Sequence, residues 1–471
     1  MPIPVITIAQ MREWEKATWA IGQTEAEVIR RVGKCVATYA LRLTLPDDLI
    51  LILAGKGHNG EDARCAQDHL TQRRVNLIEV KDPAADYSKL EAVLSLRPAL
   101  IIDGLFGIGI NRPLNGDWIQ FIERVNRSDA KVLAVDVPSG LNGDTGEPQG
   151  AAIRASLTLT VGAPKMGMLK ELASPFVGEL EVAREVGLVP CPLKSEVNWT
   201  SAEDFDGFPA ARAVATHKGT YGHAGIVAGS VGYHGASVLV ACGAQRAQPG
   251  LITLHIQEGA YHPVASQLQA VMVSPWRAKT DFSSYTAIVI GPGLAAMDLP
   301  NEVKELARGL WLHAKVPIIV DASALAWLPS GAVPENAVRL ITPHPGEAAR
   351  LLGTTSKEVQ SDRLTSLREL SRRYGNTWVV LKGHETLIGR SHGEIFVNCS
   401  GNPYLAQGGS GDVLSGYLVG LLAHPALQED PLKTIRYAVW QHGAAADRLQ
   451  NNRPNWVIED LVEELGRVVR V

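Results

Sequence analysis

The chain has 471 residues, of which 46% are hydrophobic and 20% are charged, and its net charge is −4. This length exceeds what one ordinary hydrophobic core supports, so we expect a globular enzyme with two domains. The slightly acidic balance disfavours a nucleic-acid surface, and no apolar run is long enough to span a membrane. The start of the chain lacks an export signal, and five scattered cysteines are typical of reduced thiols, so we expect a cytoplasmic protein.

Short aliphatic runs alternate with helical patterns in the first half of the chain. Continuous β-branched and aliphatic strands that are separated by helices are typical of a parallel sheet covered on both faces. The sequence therefore predicts a three-layer α/β/α domain. Its predicted strands are residues 49–54, 75–80, 99–103 and 132–137, and its predicted helices are residues 62–72 and 117–125.

Polar residues follow three of these predicted strands. They are residues 58–62, Asp103, and Asp136 together with Ser139. Because the carboxyl ends of parallel strands lie at one edge of the sheet, we expect the three groups to face one ligand-binding crevice. The alternative is that Asp103 and Asp136 each cap the turn that follows a strand.

A stretch rich in proline and charged residues, from about 187 to 215, indicates a boundary between two domains. We place the domains at residues 1–195 and 205–471. A second alternating series follows the boundary and predicts a second α/β domain. Its predicted strands are residues 224–228, 251–256, 287–290, 317–320 and 378–381, and its predicted helices are residues 236–247, 301–313, 357–374, 413–423 and 432–449.

The segment Gly408-Gly409-Ser410-Gly411-Asp412 precedes an apolar helical pattern. The exposed amides at such a helix start form an anion site at the positive end of the helix dipole. Asp412 in this position suits a base that takes a proton from a hydroxyl while the amides hold the developing phosphoryl charge. The alternative is that Asp412 is an N-cap, although capping alone does not require three glycines.

Four further polar segments accompany this element in the second half. In chain order they are His217-Lys218-Gly219, Gly291-Pro292-Gly293, Thr342-Pro343-His344-Pro345-Gly346-Glu347 and Lys382-Gly383-His384-Glu385-Thr386. No Walker P-loop is present. The ordered set resembles the ribokinase-like superfamily, and more closely the ADP- or ATP-dependent NAD(P)H-hydrate dehydratases, from about Thr200 to the end. The resemblance implies a ribokinase-like α/β/α fold for this domain.

The first half resembles the NAD(P)H-hydrate epimerase domain over about residues 8–190. The likeness is carried by the loops at residues 55–63, 103–113 and 136–143, and it implies a Rossmann-like fold. The two domains in this order resemble the bifunctional nicotinamide-hydrate repair enzymes, which act as isomerase and lyase. The implied reactions are epimerisation of the R and S hydrates NADHX and NADPHX, and ADP- or ATP-dependent dehydration of the S hydrate through a phosphorylated intermediate.

The resemblance also implies roles for residues of the first domain. Asn59, Asp103 and Ser139 match the ligands of a potassium ion, and Asp136 matches the acid/base of the epimerisation. The positions that match the family's substrate-binding loops are His58, Asn59, Gly60, Glu61, Asp62, Gly107, Ile108, Gly109, Ile110, Asn111, Arg112, Pro113 and Asp136. His58 and Glu61 depart from the usual residues, and Glu61 adds negative charge beside an expected phosphate.

In the second domain, the resemblance implies that Asp412 is the base for phosphorylation of the C6 hydroxyl. The co-substrate would be ADP or ATP with Mg²⁺. Positions that match the hydrate site are Ala236, Gly293, His344 and Asp412, and those that match the adenine nucleotide site are Lys382, Gly383, His384, Glu385, Thr386 and Gly411. Alternatives are a structural role for His344 between two prolines and an ordinary solvated strand end for Lys382.

Three other functions compete with this hypothesis. A ribokinase-like small-molecule kinase would make a stable phosphate ester, and its first domain would be a non-catalytic dinucleotide-binding scaffold. A sensor that only binds dinucleotides is disfavoured because Asp136 and Asp412 are both present. A dehydrogenase is disfavoured because residues 104–109 do not form a GxGxxG loop. We expect small-molecule ligands, no nucleic-acid partner, no membrane association and a homo-oligomer.

Overall fold

The structure is a computed structural model that describes residues 2–110, 112–277, 279–335 and 337–467. The chain divides into two compact units, one of Ile3–Ser195 and a second that begins at Glu196. Among the described residues, none of the helices combines the length and the apolar character of a bilayer-spanning segment.

The first unit contains a parallel sheet in which β2–β7 are ordered β3-β2-β4-β5-β6-β7. From β2 the chain continues to β3 on one side and then crosses to β4 on the other. A parallel sheet opens a ligand crevice at such a switch point. The strands are β1 (Ile3–Pro4), β2 (Leu49–Ala54), β3 (Arg74–Glu79), β4 (Leu100–Gly104), β5 (Lys131–Val135), β6 (Leu157–Val161) and β7 (Glu179–Ala183); the helices are α1 (Ile8–Ala20), α2 (Glu25–Leu43), α3 (His58–Ala66), α4 (Pro83–Leu94), α5 (Gly116–Asn126) and α6 (Ser174–Val177).

Helices cover this sheet because its central strands are apolar along their whole length. Leu51 and Leu53 of β2 share one buried cluster with Leu90 of α4 and Phe121 of α5. Helices α2 and α3 pack closely on each other, since a Cβ on Gly33 would lie 2.6 Å from the Cβ of Cys65. The predicted parallel three-layer α/β/α arrangement is therefore confirmed.

In the first half, the strand predicted at 49–54 is exact, the elements predicted at 75–80, 99–103 and 117–125 each differ by one residue at both ends, and two others differ further. The helix predicted at 62–72 instead begins at His58, directly after its N-cap residue Gly57, and ends at Ala66. The strand predicted at 132–137 ends at Val135 because Asp136 has a φ of 64°. A non-glycine residue at positive φ departs from extended strand geometry and is worth examining for function.

The second unit is also built on a sheet, with the strand order β8-β17-β16-β15-β14-β13-β12-β9-β10-β11. All neighbours are parallel except β16, which runs antiparallel to β15 and β17. The strands are β8 (Val197–Thr200), β9 (His223–Val227), β10 (Leu251–Ile256), β11 (Met272–Pro275), β12 (Ala287–Ile290), β13 (Ile318–Val320), β14 (Arg339–Ile341), β15 (Trp378–Leu381), β16 (Leu387–Gly389) and β17 (Ile395–Asn398). The helices are α7 (His234–Ala247), α8 (Tyr261–Ala265), α9 (Asn301–His313), α10 (Pro345–Leu352), α11 (Ser356–Ser361), α12 (Arg363–Arg373), α13 (Ser410–Leu422), α14 (Pro425–Gln428), α15 (Pro431–Asn452) and α16 (Ile458–Leu465).

Helices α7 and α13 contact each other through their backbones on one face of this sheet. A Cβ on Gly416 of α13 would lie 2.0 Å from the carbonyl oxygen of Val240 in α7. A Cβ on Gly243 of α7 would lie 2.3 Å from the carbonyl oxygen of Val413. Glycine at both positions therefore permits this contact, which fixes where α13 begins.

Four predicted helices of the second half differ from the structure: the one predicted at 236–247 is His234–Ala247, the one predicted at 413–423 is Ser410–Leu422, the one predicted at 432–449 is Pro431–Asn452, and the fourth is divided in two. Residues 357–374 form two helices, α11 and α12, rather than one. The helices are separated by Asp362, which has a φ of −143° and whose Oδ1 accepts the N–H of Thr365 at 3.0 Å. The side chain of Asp362 thus caps α12. The predicted strands 251–256, 287–290 and 378–381 and the predicted helix 301–313 are confirmed at both ends.

Candidate functional site

The first candidate site begins at the loop between β2 and α3. A Cβ on Gly55 would lie 2.0 Å from the carbonyl oxygen of Leu105, and a Cβ on Gly60 would lie 2.1 Å from the carbonyl oxygen of Gly55. Only glycine permits these backbone contacts. They bring the start of α3 against the segment that follows β4.

Asn59, Asp103 and Ser139 converge around the backbone of Phe106. Ser139 donates from Oγ to Asp103 Oδ1 at 2.6 Å and from its N–H to Asp103 Oδ2 at 2.8 Å. Asn59 donates from Nδ2 to the Phe106 carbonyl at 2.7 Å, and the Phe106 N–H donates to Ser139 Oγ at 2.8 Å. Burial raises the pKa of Asp103 to about 6, against hydrogen bonds from Ser139 and Leu105 that lower it. Asp103 therefore does more than cap a turn.

The Asn59 side chain leaves one acceptor unused in this cluster. Its Oδ1 is buried and has no hydrogen-bond partner in the structure. A Cβ on Gly107 would lie 3.5 Å from this oxygen, so the glycine keeps the space beside it open. A buried oxygen without a donor is unfavourable unless a ligand or ion satisfies it.

Asp136 forms a buried ion pair with Lys165, a residue that sequence analysis missed. The distance from Lys165 Nζ to Asp136 Oδ1 is 2.5 Å, and the Lys165 side chain is fully buried. Lys165 Nζ also donates to Thr160 Oγ1 at 2.9 Å and to the Val161 carbonyl at 3.0 Å. Lys165 lies in the loop after β6, a strand that sequence analysis did not assign, and a lysine is rarely fully buried.

A cavity of about 1030 Å³ opens beside Asp136. Its wall includes four cationic side chains, of which only Arg112 belonged to the predicted set. Among the predicted residues, the wall contains His58, Asn59, Asp62, Gly107, Ile108, Gly109, Ile110, Arg112, Pro113 and Asp136; the other cations are Arg12, Lys56 and Lys81. Gly60 is buried and Glu61 is exposed, and neither forms the wall. Asn111 lies outside the described residues.

Two more carboxyls face this cavity. Burial, together with the charges of Asp136, Glu61 and Glu15, raises the pKa of Asp62 well above its usual value. Burial, and then Asp136, also raises the pKa of Glu15 in α1. Sequence analysis did not assign α1 and therefore missed Glu15.

The second candidate site is the start of α13. Gly409 is the N-cap residue with a φ of 99°, and Ser410, Gly411 and Asp412 are the first three helical residues. The alternative that Asp412 is the N-cap is therefore wrong, because a glycine holds that position. Burial, together with the carboxylates of Asp321 and Glu347, raises the pKa of Asp412 to about 7, although Lys382 opposes the shift.

Lys382 and Asp321 form an ion pair next to Gly411. Lys382 Nζ donates to Asp321 Oδ1 at 3.0 Å, and Ser415 Oγ donates to Asp321 Oδ2 at 2.6 Å. A Cβ on Gly411 would lie 3.3 Å from Lys382 Nζ. Burial lowers the pKa of Lys382, but the carboxylates of Asp321 and Glu347 outweigh it and raise the pKa. Lys382 is thus not an ordinary solvated lysine.

His344 caps α10. Its Nδ1 accepts the N–H of Gly346 at 3.0 Å, and Glu347 Oε2 accepts the N–H of His344 at 2.9 Å. Because Nδ1 accepts, the ring carries its proton on Nε2. Burial lowers the pKa of His344, against the raising effect of Glu347, and the side chain is still 52% exposed. His344 therefore has a structural role as the cap of α10, and about half of its side chain is also exposed.

Ala236 and Gly293 are in contact, as expected for two residues of one site. A Cβ on Gly293, which has a φ of 67°, would lie 2.9 Å from the Cβ of Ala236. Ser230, which sequence analysis missed, donates from Oγ to the Gly293 carbonyl at 2.6 Å. Ser230 therefore holds the loop that follows β12.

Arg363 supports the Lys382–Thr386 loop and His442 supports the start of α13, and sequence analysis missed both residues. Arg363 of α12 donates to the carbonyls of His384 and Glu385, and to that of Leu381 at 3.1 Å. His442 of α15 donates from Nε2 to the Ser410 carbonyl at 3.0 Å, and burial lowers its pKa to about 4. Both residues act from helices distant in sequence, so a motif search has no signal for them.

Within the Lys382–Thr386 loop, Gly383 has an unusual backbone conformation and Glu385 has a shifted pKa. Gly383 has a φ of 141°, and Thr386 Oγ1 donates to its carbonyl at 3.0 Å. Burial raises the pKa of Glu385 to about 8, although the guanidinium of Arg363 opposes the shift. The loop is therefore stabilised by a hydrogen bond of its own and by the guanidinium of Arg363.

Comparison with known proteins defines the class of each half. Residues 224–467 match the family described as NAD(P)H-hydrate dehydratase, and residues 77–167 match the family described as YjeF-related protein N-terminus. The crystal structure of an ADP/ATP-dependent NAD(P)H-hydrate dehydratase from Bacillus subtilis, co-crystallised with ATP/Mg²⁺, is 31% identical with a TM-score of 0.51. The match covers 57% of this chain and 96% of that chain. The second unit is thus a ribokinase-like domain of the dehydratase class.

Relatives that match most of this chain are bifunctional enzymes. A bifunctional NAD(P)H-hydrate repair enzyme of Coxiella burnetii is 34% identical over 467 residues, which cover 93% of each chain. The enzyme of the same name from Moorella thermoacetica is 32% identical and covers 89% of this chain and 87% of its own. The chain belongs to the family of bifunctional NAD(P)H-hydrate repair enzymes.

Proposed function

We propose that this chain restores hydrated nicotinamide cofactors with two active sites. The second unit dehydrates the S hydrates of NADH and NADPH with ADP or ATP, and the first unit epimerises the R and S hydrates. The observation that carries the proposal is the Asp412 carboxyl, whose pKa of about 7 suits a base, at a helix N-terminus that suits a phosphoryl group.

In the dehydratase reaction, Asp412 takes the proton from the C6 hydroxyl, and the hydroxyl oxygen attacks the terminal phosphorus of the nucleotide. The bond from that phosphorus to the bridging oxygen breaks, so that ADP leaves as AMP or ATP leaves as ADP. The amides at the start of α13 and the ammonium of Lys382 hold the charge that develops on the phosphoryl group. Phosphate then leaves C6 as the N1 lone pair forms the N1=C6 bond. Loss of a proton from C5 restores the dihydropyridine ring.

Lys382–Thr386 and Gly411 form the proposed adenine nucleotide site, and Ala236, Gly293 and His344 with Asp412 form the proposed hydrate site. The contact of Gly411 with Lys382 and that of Gly293 with Ala236 support these groupings. We propose that Mg²⁺ accompanies the nucleotide phosphates. The carboxylate of Glu347, whose Oε2 lies 3.9 Å from Lys382 Nζ, is a hard oxygen donor of the type that Mg²⁺ takes beside phosphates.

In the epimerase site, Asp136 is the proposed acid/base, and the residues of the cavity wall bind the hydrate. Four cations in that wall, including Arg12 and Lys81, suit the two phosphates of a dinucleotide. A potassium ion fits the donor set of Asn59, Asp103 and Ser139, because Asn59 Oδ1 is buried without a donor. Bound there, the ion would add positive charge for the dinucleotide phosphates.

A direct assay tests both activities. Purified protein is incubated with a mixture of R and S hydrates, with and without ADP or ATP, and the absorbance of reduced cofactor is followed. We expect nucleotide-dependent recovery of the whole mixture. A stable phosphate ester as the product would instead establish the small-molecule kinase, and recovery of the S fraction alone would make the first unit a scaffold.

Three further properties belong to this proposal. We place the epimerase at residues 1–195 and the dehydratase at residues 205–471, in a cytoplasmic protein that acts on small molecules rather than nucleic acid. We also propose a homo-oligomer, which light scattering coupled to gel filtration tests. A mass of 50.6 kDa, that of one chain, would contradict it.

A further inference from the structure

A second carboxyl, Asp62, shares the cavity with Asp136 and has been assigned only to substrate binding so far. Asp62 lies on α3, one helical turn after Asn59, and forms part of the cavity wall. The residue is 8% exposed, so it is almost fully removed from bulk water. A buried carboxyl at a reaction cavity is a candidate for chemistry.

The two carboxyls have opposite surroundings. The ammonium of Lys165 contacts Asp136 and stabilises its negative charge. The charged groups that act on Asp62 are carboxylates, those of Asp136, Glu61 and Glu15, and together with burial they raise its pKa well above the usual value. One cavity therefore holds two carboxyls in opposite electrostatic surroundings, Asp136 beside an ammonium and Asp62 among carboxylates, and such a difference suits the division between a base and an acid.

We infer that Asp62 is a second catalytic group of the epimerase site, which gives its proton to the C6 hydroxyl of the hydrate as that hydroxyl leaves. Asp136 then takes a proton from the water that adds to the other face of C6. The inference rests on the proposed epimerase function and assigns Asp62 a chemical step beyond ligand binding.

The step balances in atoms and electrons. The C6–O bond breaks, the leaving hydroxyl departs as water with the proton of Asp62, and the N1 lone pair forms the N1=C6 bond. When water adds to the opposite face, the electrons of that bond return to N1 and Asp136 accepts the released proton. The opposite direction uses the two carboxyls in reversed protonation states, and exchange with solvent resets them.

Asp62→Asn tests the assignment, because asparagine keeps the size of the side chain but cannot give up a proton. We expect conversion of purified R hydrate to S hydrate, followed by chromatography, to fall by about 10²-fold to 10⁴-fold. ADP-dependent dehydration of purified S hydrate by the same variant should be unchanged. Asp68→Asn, an equal change of charge on an exposed residue just after α3, is the matched control and should epimerise like the parent.

A second variant separates chemistry from folding. Asp62→Ala leaves a space that formate can enter, so added formate should restore epimerisation in proportion to its concentration, whereas chloride at equal ionic strength should not. An inactive Asp62→Asn with no formate rescue of Asp62→Ala would show a structural role and overturn the inference. A fully active Asp62→Asn beside an inactive Asp136→Asn would also overturn it, with the epimerase function intact. A parent protein that does not exceed spontaneous epimerisation would instead refute the proposed function.

Discussion

At the scale of residues, the same side-chain type is adjusted differently in the two proposed active sites. Asp412 faces the carboxylates of Asp321 and Glu347 at a partly buried position, and its pKa rises to about 7. Asp136 instead contacts the fully buried ammonium of Lys165. The two aspartates therefore have opposite electrostatic surroundings, carboxylates around Asp412 and an ammonium beside Asp136.

Asp412→Asn tests the proposed base. We expect dehydration of the S hydrate to fall by about 10²-fold to 10⁴-fold, the usual effect of losing a general base, because an amide cannot accept the hydroxyl proton. The fold and nucleotide binding should persist, which calorimetry with ADP checks. Unchanged turnover in this variant would refute the assignment.

The pH dependence of dehydration should report the same group. Because the pKa of Asp412 is raised to about 7, the reactive carboxylate is the minor form at lower pH. We expect kcat/KM to rise about tenfold per pH unit up to pH 7 and to level off above it. The residual rate of Asp412→Asn should lack this rise, and a parent profile already flat from pH 5 upwards would contradict the prediction.

Lys165→Met tests the buried ion pair. Methionine keeps most of the aliphatic volume but leaves the Asp136 carboxylate without its partner, so the free energy of unfolding should fall by about 3–5 kcal/mol. Denaturant unfolding measures the change, and epimerisation should fall with it. The matched control is Lys170→Met at an exposed position, which should stay within about 0.5 kcal/mol of the parent. Equal free energies of unfolding for Lys165→Met and Lys170→Met would contradict a stabilising contribution of the Lys165–Asp136 ion pair.

At the scale of elements, the position of the proposed dehydratase site depends on the packing of α13 against α7. The start of α13 carries the proposed anion site, and its position is set by the backbone contact with α7. His442 of α15 adds a hydrogen bond to the Ser410 carbonyl at the same helix start. A glycine of α13 thus permits the packing that places the proposed anion site.

Gly416→Ala tests this contact. The added Cβ would lie 2.0 Å from the Val240 carbonyl oxygen, so α13 must shift away from α7. We expect lower stability, by about 1–3 kcal/mol as for overpacking, and reduced dehydration with unchanged epimerisation. Gly309→Ala in α9, where no atom lies within 4 Å of the added Cβ, is the control and should be neutral or slightly stabilising. Equal melting temperatures for the two variants would refute the packing argument.

At the scale of the whole molecule, the two proposed activities treat one pool of damaged cofactor. Dehydration of the S hydrate alone would leave the R hydrate behind unless it were first epimerised. The two compact units hold separate proposed sites, each formed by residues of its own unit. A variant in one site should therefore leave the chemistry of the other intact.

Asp136→Ala tests this division of work. We expect repair of purified S hydrate at the parent rate, whereas a mixture of R and S should stall at the R fraction apart from slow spontaneous epimerisation. The absorbance of reduced cofactor shows both phases in one trace. If the variant consumes the mixture as fast and as completely as the parent, the first unit is a scaffold.

The sequence by itself determined the features that depend on neighbours along the chain. Apolar runs predicted the central strands β2, β10, β12 and β15 because a strand buried on both faces must be apolar throughout. Loop motifs such as residues 408–412 indicated the epimerase and dehydratase functions. Each motif could be recognised because its glycines and polar residues lie next to one another in the sequence. Local patterns were less reliable at helix ends, where Gly57 and Asp362 decide the bounds.

Only the tertiary structure decided which distant groups meet. Lys165 joins Asp136 from beyond β6, Glu15 faces the same cavity from α1, and Arg363 and His442 hold their loops from other helices. A single sequence has no signal for such pairs because packing, not spacing, brings them together. Burial and the sign of the charges nearby shift the pKa of Asp62 and that of Asp412, so the proposed roles of these two carboxyls could be inferred only from the folded structure.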